Sequence, residues 1–197
     1  IHLSSRGWLD ADGGFIRFLT MAYDSSVGIS VNIGHTHANT SAANASTILP
    51  GPARVILRAA ATDELGASGV VVDFADITLD VADIVAFVAN ATLALEEEIA
   101  KAGNKSDIDS AEALTRVAAY ADVLNADDDV DDAAASDVRA QLLSIAADAA
   151  VSGGTPDDED ITQQAAVLVL LVANSNQVSQ DMTTHALEFA GARAVRA

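Results

Sequence analysis

The feature that most constrains this chain is a change in the spacing of its apolar residues near position 80. Before it, short runs rich in β-branched and aromatic residues alternate with turn-forming residues, which is typical of strands. After it, apolar residues recur every three or four positions, which is typical of amphipathic helices. The sequence therefore predicts an α+β protein with a β module at residues 1–79 and a helical bundle at residues 80–197.

Four strands are predicted in the first part, over residues 15–23, 27–33, 53–62 and 69–79. Leu65-Gly66 favours a hairpin between the last two strands. The polar segment from His35 to Thr47 is predicted to be a long exposed loop. Because an immunoglobulin-like domain needs about seven strands, we expect an incomplete immunoglobulin- or fibronectin-like β-sandwich. The start at Ile1, without a methionine, also favours a piece of a longer protein.

About five helices are predicted in the second part, each with one apolar stripe expected to face the core. The stripes run over residues 84–99, 108–124, 138–149, 161–172 and 182–190. Three possible N-caps support the helix starts, at Ser106, Thr155 and Ser179. Alanine supplies much of the 50% apolar fraction, so the helix faces are narrow. The bundle is therefore expected to gain stability by docking against the β module or a partner.

Charge and cysteine content exclude several kinds of function. The chain carries 29 Asp and Glu against 10 Lys and Arg, a net charge of -19. Nucleic acid and anionic membrane surfaces attract basic residues, so neither is an expected partner. No apolar run is long enough to cross a membrane. Because there is no cysteine, disulfides, zinc–thiolate sites and cysteine nucleophiles are excluded.

No catalytic or cofactor-binding motif is recognisable, and the chain is expected not to be an enzyme. Asp10 and Asp12 alternate before glycines and are weak candidates for a metal site, although a turn is favoured. His35 and His37 could bind a transition metal, but no third ligand is evident. The acidic run at residues 127–132 lacks the glycine and glutamate of a calcium loop, which favours a solvated loop before a helix.

The most informative short pattern is Asn-x-Ser/Thr, the acceptor for N-linked glycans in secreted proteins. It begins at four positions: Asn39, Asn44, Asn90 and Asn104. The first two lie in the predicted polar loop, and Asn90 lies inside a predicted helix. The pattern favours a secreted or cell-surface location, with chance occurrence in a polar loop as the alternative.

Three motifs give the β module a family resemblance. They are Gly-Trp-Leu-Asp-Ala-Asp-Gly at residues 7–13, Leu-Pro-Gly at 49–51 and Ala-Thr-Asp-Glu-Leu-Gly-Ala-Ser at 61–68. In this order they resemble the REJ (receptor for egg jelly) region of polycystin-1-like proteins. The helical part resembles the helices of a GAIN-like domain in the spacing of its residues, and not in a motif. In that family a His-Leu-Ser/Thr tripeptide late in the domain is the site of self-cleavage. Here His2-Leu3-Ser4 matches the tripeptide but lies at the start of the sequence, so self-cleavage is not expected.

The resemblance implies a structural and adhesive module of an extracellular, cell-surface or ciliary protein. Its partners would be other extracellular proteins or glycans, a polycystin-type channel, or further copies of itself. Two alternatives stay open: a subunit of an extracellular filament or surface layer, and an enzyme accessory domain or an enzyme with an unusual aspartate site at Asp10 and Asp12. No cofactor is expected under the preferred interpretation.

Overall fold

A computed structural model describes residues 2–6, 16–37, 42–46, 53–63, 68–77, 81–101, 110–126, 129–152 and 158–194. The strands are β1 (His2–Arg6), β2 (Ile16–Asp24), β3 (Ser30–His37), β4 (Ala42–Ser46), β5 (Ala53–Asp63) and β6 (Ser68–Ile77). The helices are α1 (Ile84–Lys101), α2 (Ser110–Asn125), α3 (Asp132–Ser152), α4 (Asp158–Val172) and α5 (Gln180–Ala194), with a 3₁₀ helix at Ser175–Gln177 before α5. The α+β organisation and the helical bundle are confirmed.

Strands β3, β2, β5 and β6 form, in that order, an antiparallel sheet in which β3 is an edge. All four predicted strands are present, and Thr62 lies opposite Ser68 as a β5–β6 hairpin requires. The start of β3 differs from the prediction, because Val27 lies in the turn that joins β2 to β3. That turn is closed by a bond from Gly28 N–H to Ser25 O (2.9 Å), and Gly28 has a φ of +78°. Such a backbone favours glycine over any residue with a Cβ.

Two short strands were not predicted. β1 pairs antiparallel with β4, from His2 opposite Ser46 to Arg6 opposite Ala42. The prediction of a loop from His35 to Thr47 is therefore wrong for the end of β3 and for β4. Alanine, serine and asparagine have low strand propensity, so β4 had no sequence signal, and only pairing with a partner strand gives it β structure.

Helix α2 is the centre of the bundle. Ten of its residues from Leu114 to Leu124 are buried, all but Arg116, and it packs against α1, α3, α4 and β3. Tyr23, Val31 and Ala61 of the sheet belong to the same buried cluster as the helix residues. The sheet and the bundle therefore share one core.

The predicted stripes of α1, α2 and α3 lie mostly in the core, Met182 is the one buried residue of the α5 stripe, and the α4 stripe is mostly exposed. On α3, Val138, Leu142, Ile145 and Ala149 are all buried. On α4, three of the four predicted stripe residues, Ile161, Ala165 and Val172, are exposed, and Leu168 is half-buried against the core. Its buried face instead contains Gln163, Gln164, Ala166, Val167, Leu170 and Leu171. The prediction is wrong because α4 is apolar on two faces, and the buried face is the one that carries Gln163, whose side chain is hydrogen-bonded to Asn32.

Candidate functional site

A concave feature with a volume of about 600 Å³ lies between α3 and α5. Its α3 wall is built by residues spaced three or four apart, which share one face of a helix: Ala140, Leu143, Ser144, Ala147 and Val151. Its α5 side contains Ser179, Asp181, Met182, His185, Glu188 and Phe189. We call this feature the α3–α5 groove.

The buried lining residues of the groove are apolar, and the acidic ones are exposed. Leu143 and Met182 are 4% and 2% exposed. Asp181, His185 and Glu188 are exposed on α5. A concave surface with an apolar floor and a few polar groups at its edge is typical of a binding site.

Helix α5 begins with a side-chain cap. The Ser179 hydroxyl accepts a hydrogen bond from Met182 N–H (3.1 Å), as the predicted N-cap requires. Met182 is the one residue of α5 that is fully buried among those whose burial is described. Helix α5 is therefore anchored at its start, by the cap and by Met182. The other residues of α5 whose burial is described are exposed or half-buried.

The position where α5 starts depends on a buried cation. Arg139 of α3 is completely buried. Its Nε donates to Gln177 Oε1 (2.9 Å), and its Nη2 donates to Asn125 Oδ1 (2.7 Å). Its Nη1 lies 3.2 Å from the carbonyl oxygens of Leu170 and of Leu171. We call these groups the Arg139 cluster.

The Arg139 cluster joins α3 to the end of α2, to the end of α4 and to the 3₁₀ helix that follows α4. Its carbonyl acceptors belong to the last turn of α4, the negative end of that helix, where a cation is stabilised. Asn125 also donates from Nδ2 to Leu170 O (3.1 Å). Burial lowers the pKa of Arg139 to about 10, so the side chain is still protonated at neutral pH. Since Gln177 lies two residues before Ser179, the cluster sets where α5 leaves the bundle.

A second set of polar contacts joins the sheet to the helices. The Gln163 side chain on α4 accepts from Asn32 N–H (3.0 Å) and donates to Asn32 O (3.1 Å). The Thr115 hydroxyl on α2 lies 3.2 Å from the same carbonyl. Both backbone groups of Asn32 are thus bonded as a neighbouring strand would bond them. This covers part of the β3 edge, where exposed backbone would otherwise attract another strand.

The turn between β2 and β3 is held by a buried carboxylate. Asp122 of α2 is 1% exposed and accepts from Ser26 N–H, at 3.0 Å to Oδ1 and 3.1 Å to Oδ2. The Ser26 hydroxyl also donates to Oδ1. Burial raises the pKa of Asp122, and the bonds from Ser26 partly oppose this. We call the contacts of Gln163, Thr115 and Asp122 with β3 and its turn the sheet–bundle joint.

Tyr23 lies in the core behind this joint and is completely buried. Its hydroxyl has no hydrogen-bond partner among the described residues. Burial, and in second place the negative charge of Asp122, raise the pKa of Tyr23 well above its ordinary value. The phenol is therefore a neutral core group at physiological pH.

The residues singled out from the sequence lie elsewhere. Asp10, Asp12, Asn39 and Asn104 fall outside the described residues. Asn44 is in β4, opposite Ser4. Asn90 is exposed on α1, while Thr92 of the same sequon is buried and donates its hydroxyl to Val88 O (2.8 Å). The predicted glycosylation sites stay predictions.

The candidate metal ligands Asp10 and Asp12, and residues 127 and 128 of the acidic run, lie outside the described residues, so a metal site there stays a prediction. His35 and His37 are both in β3, opposite Thr20 and Phe18. Asp131 instead caps α3 by accepting from Ala134 N–H (2.8 Å). Where the structure is described, no three histidine, aspartate or glutamate side chains are grouped so that they could hold a metal ion.

Sequence reasoning missed the polar residues that organise the structure. Asp122 is a single charge inside an apolar run, which could have marked it as buried, whereas Arg139 lies two positions after Asp137 and carries no such signal. Nothing in the sequence pairs Gln163 with Asn32, which are separated by 131 positions.

Comparison with known proteins gives no match: no family model fits the chain, and no curated protein or solved structure is significantly similar to it. No helix in the described ranges is both long enough and apolar enough to cross a membrane.

Proposed function

We propose that this chain is a non-enzymatic structural and adhesive module. The observation that carries the proposal is the sheet–bundle joint, in which α2 and α4 hold the edge strand β3 and its turn. A module that spaces or anchors other domains must transmit force between its parts without separating. Buried side-chain bonds to backbone meet that need, because breaking one leaves a buried polar group without a partner.

The buried charges support a structural role. Arg139 donates to four oxygens of three segments, and Asp122 accepts from the backbone and hydroxyl of one turn residue. A catalytic charge has to face a substrate, whereas these two are buried and used in joining elements. Their engagement favours scaffolding over chemistry at these positions.

The extracellular location belongs to the same proposal and is supported by the sequence. The three motifs between residues 7 and 68 resemble the REJ region of polycystin-1-like proteins, and four glycan acceptor sequences are present. Other extracellular proteins or glycans would then be the partners, at a cell surface or cilium. Asn90 is exposed on α1, where an attached glycan would extend into solvent.

Scanning calorimetry tests the structural part of the proposal. If the joint unites sheet and bundle, unfolding gives one transition whose calorimetric enthalpy equals its van't Hoff enthalpy. Replacing Gln163 with alanine, which removes both bonds to Asn32, should lower the melting temperature while the transition stays single. Two separate transitions in the unchanged protein would refute the proposal.

Secretion from a eukaryotic cell tests the location. The protein should leave the cell with added mass that an N-glycosidase removes. A variant with glutamine at Asn39 and Asn44 should lose part of that mass. A secreted protein with no glycan on any of the four asparagines would leave the extracellular proposal without its main support and would contradict it.

A further inference from the structure

We propose that the α3–α5 groove is the docking site for a basic amphipathic helix of a partner protein. The inference deepens the adhesive function proposed above and rests on it. It gives that function a surface, a binding mode and a partner chemistry.

The shape of the groove fits a helix. Its α3 wall repeats at positions 140, 143/144, 147 and 151, which is about 16 Å along the helix axis at 1.5 Å per residue. An amphipathic helix lays residues spaced three or four apart into such a groove. The wall therefore offers a third helix about three turns of contact between two existing ones.

The floor of the groove supplies apolar contact at several levels. Leu143 and Met182 are buried at its base, and Phe189 is half-buried on α5. Val151 closes one end and is 67% exposed. If an apolar side chain of a partner covers this exposed valine, apolar surface is removed from water, which favours binding.

The charge of the groove selects a basic partner. Its charged lining residues Asp181 and Glu188 are acidic and seven positions apart, so they lie on one side of α5. Among the lining residues that the structure describes, none is a lysine or arginine, and the whole chain has a net charge of -19. Lysine or arginine beside the partner's apolar stripe would pair with these acids and speed association. A second copy of this chain would instead bring a like charge.

The groove is held open before any partner arrives. The Arg139 cluster fixes Gln177, and Ser179 caps α5 two residues later. The Arg139 cluster lies outside the groove lining, and the cap bond joins two residues of its α5 side, so both sets of bonds are made within the free protein. A preorganised groove avoids the cost of ordering on binding.

Three synthetic peptides of about 18 residues, about 27 Å when helical, test the proposal by titration calorimetry. The first carries leucine at one helical stripe and lysine elsewhere. The second replaces the lysines with glutamate, and the third replaces the leucines with alanine. At about 0.15 M salt, where distant charges are screened, the leucine–lysine peptide should bind at least about tenfold more tightly than either of the others. Equal binding by the alanine–lysine peptide would overturn the proposal, because attraction would then be due to net charge alone.

A matched pair of variants locates the site. Val151 and Leu187 are 67% and 68% exposed, but only Val151 lines the groove. V151Q should weaken binding of the leucine–lysine peptide about fivefold, and L187Q less than twofold. Both positions are exposed, so circular dichroism should show that both variants keep the native fold. Equal weakening by the two variants would refute this location.

A charge pair and a sedimentation measurement complete the test. E188Q, which alters the groove, should weaken binding about twofold, whereas E96Q on α1 should leave it unchanged. If the protein alone forms a dimer that V151Q abolishes and L187Q does not, the occupant is a second copy and the proposal fails. Failure of these tests with a single calorimetric transition would leave the structural function standing, so the two proposals can be told apart.

Discussion

Replacing Arg139 with methionine tests how much the buried cation contributes to stability. Methionine keeps an unbranched, flexible and largely apolar side chain, but it is shorter than arginine and cannot donate a hydrogen bond. The change leaves Asn125 Oδ1, Gln177 Oε1 and Leu171 O without the donor they have in the native structure. Leu170 O keeps its bond from Asn125.

Two opposing terms set the size of the effect. Four bonds to a charged donor, at about 1.5 kcal/mol each, amount to about 6 kcal/mol. Burial lowers the pKa of Arg139 to about 10, and removing the charge recovers about 3 kcal/mol of that desolvation cost. We therefore expect R139M to lower the free energy of unfolding by about 3 kcal/mol. In a chain of this size that is about 6–12 °C in melting temperature.

Urea unfolding followed by circular dichroism gives this free energy directly. The matched control is R116M on α2, where the arginine donates to Glu98 Oε2 (2.7 Å) and Glu112 Oε1 (2.6 Å) near the surface. Solvent screens such pairs, so R116M should cost at most about 1 kcal/mol. R139K should fall between the two, because one ammonium cannot reach acceptors on three segments.

An R139M variant as stable as R116M, or more stable than the unchanged protein, would refute this reasoning. It would mean that the desolvation of the cation outweighs its four hydrogen bonds, as for buried ion pairs that apolar residues can replace. The Arg139 cluster would then specify where α5 starts without stabilising the fold.

Three further predictions concern titration and capping. Burial raises the pKa of both tyrosines of the chain, Tyr23 and Tyr120. Ultraviolet titration at about pH 10 should therefore show less tyrosinate in the folded than in the urea-unfolded protein, and the free energy of unfolding should decrease as pH rises further. Equal ionisation in the two states would contradict this prediction. Because the pKa of Asp122 is raised in the folded protein, the contribution of this residue to the free energy of unfolding is fully present below about pH 3.9, its ordinary pKa. That contribution is lost as pH rises through the pKa of Asp122 in the folded state. The unfolding free energy of the unchanged protein minus that of D122N, from urea curves at several pH values, should thus fall as pH rises, and an increase would refute the assignment. S179A removes the acceptor of Met182 N–H and should cost about 1 kcal/mol; faster hydrogen exchange confined to the start of α5 is the expected readout, and no change there would contradict the cap.

The fold class was predictable because hydrophobic spacing reports directly on local structure. The change of period near residue 80 indicated the α+β division, and Val138 to Ala149 gave the buried face of α3 correctly. The Ser179 cap was also predictable, because a cap depends on residues within three positions of each other. The β1–β4 ladder was not, because its pairing joins segments about 40 positions apart whose composition is weak in strand formers.

The candidate site could not be predicted, because it depends on contacts between distant residues. The inward face of α4 carries Gln163, whose amide substitutes for a strand beside Asn32. The groove exists because Arg139 holds Gln177 and so directs α5. In the sequence, Gln163 is an ordinary polar helix residue and Arg139 an ordinary charge. Only their burial distinguishes them, and burial is a property of the assembled core.

Hydrogen exchange measured by NMR tests the central claim, that the sheet–bundle joint makes one unit. The backbone amides of Ser26 and Asn32 report on the joint itself, since their acceptors are Asp122 and Gln163. The account predicts that these amides and the central amides of α2 exchange with the same opening free energy, equal to that of global unfolding. Exchange of the β3 and turn amides at a free energy several kcal/mol lower, with α2 still protected, would contradict it.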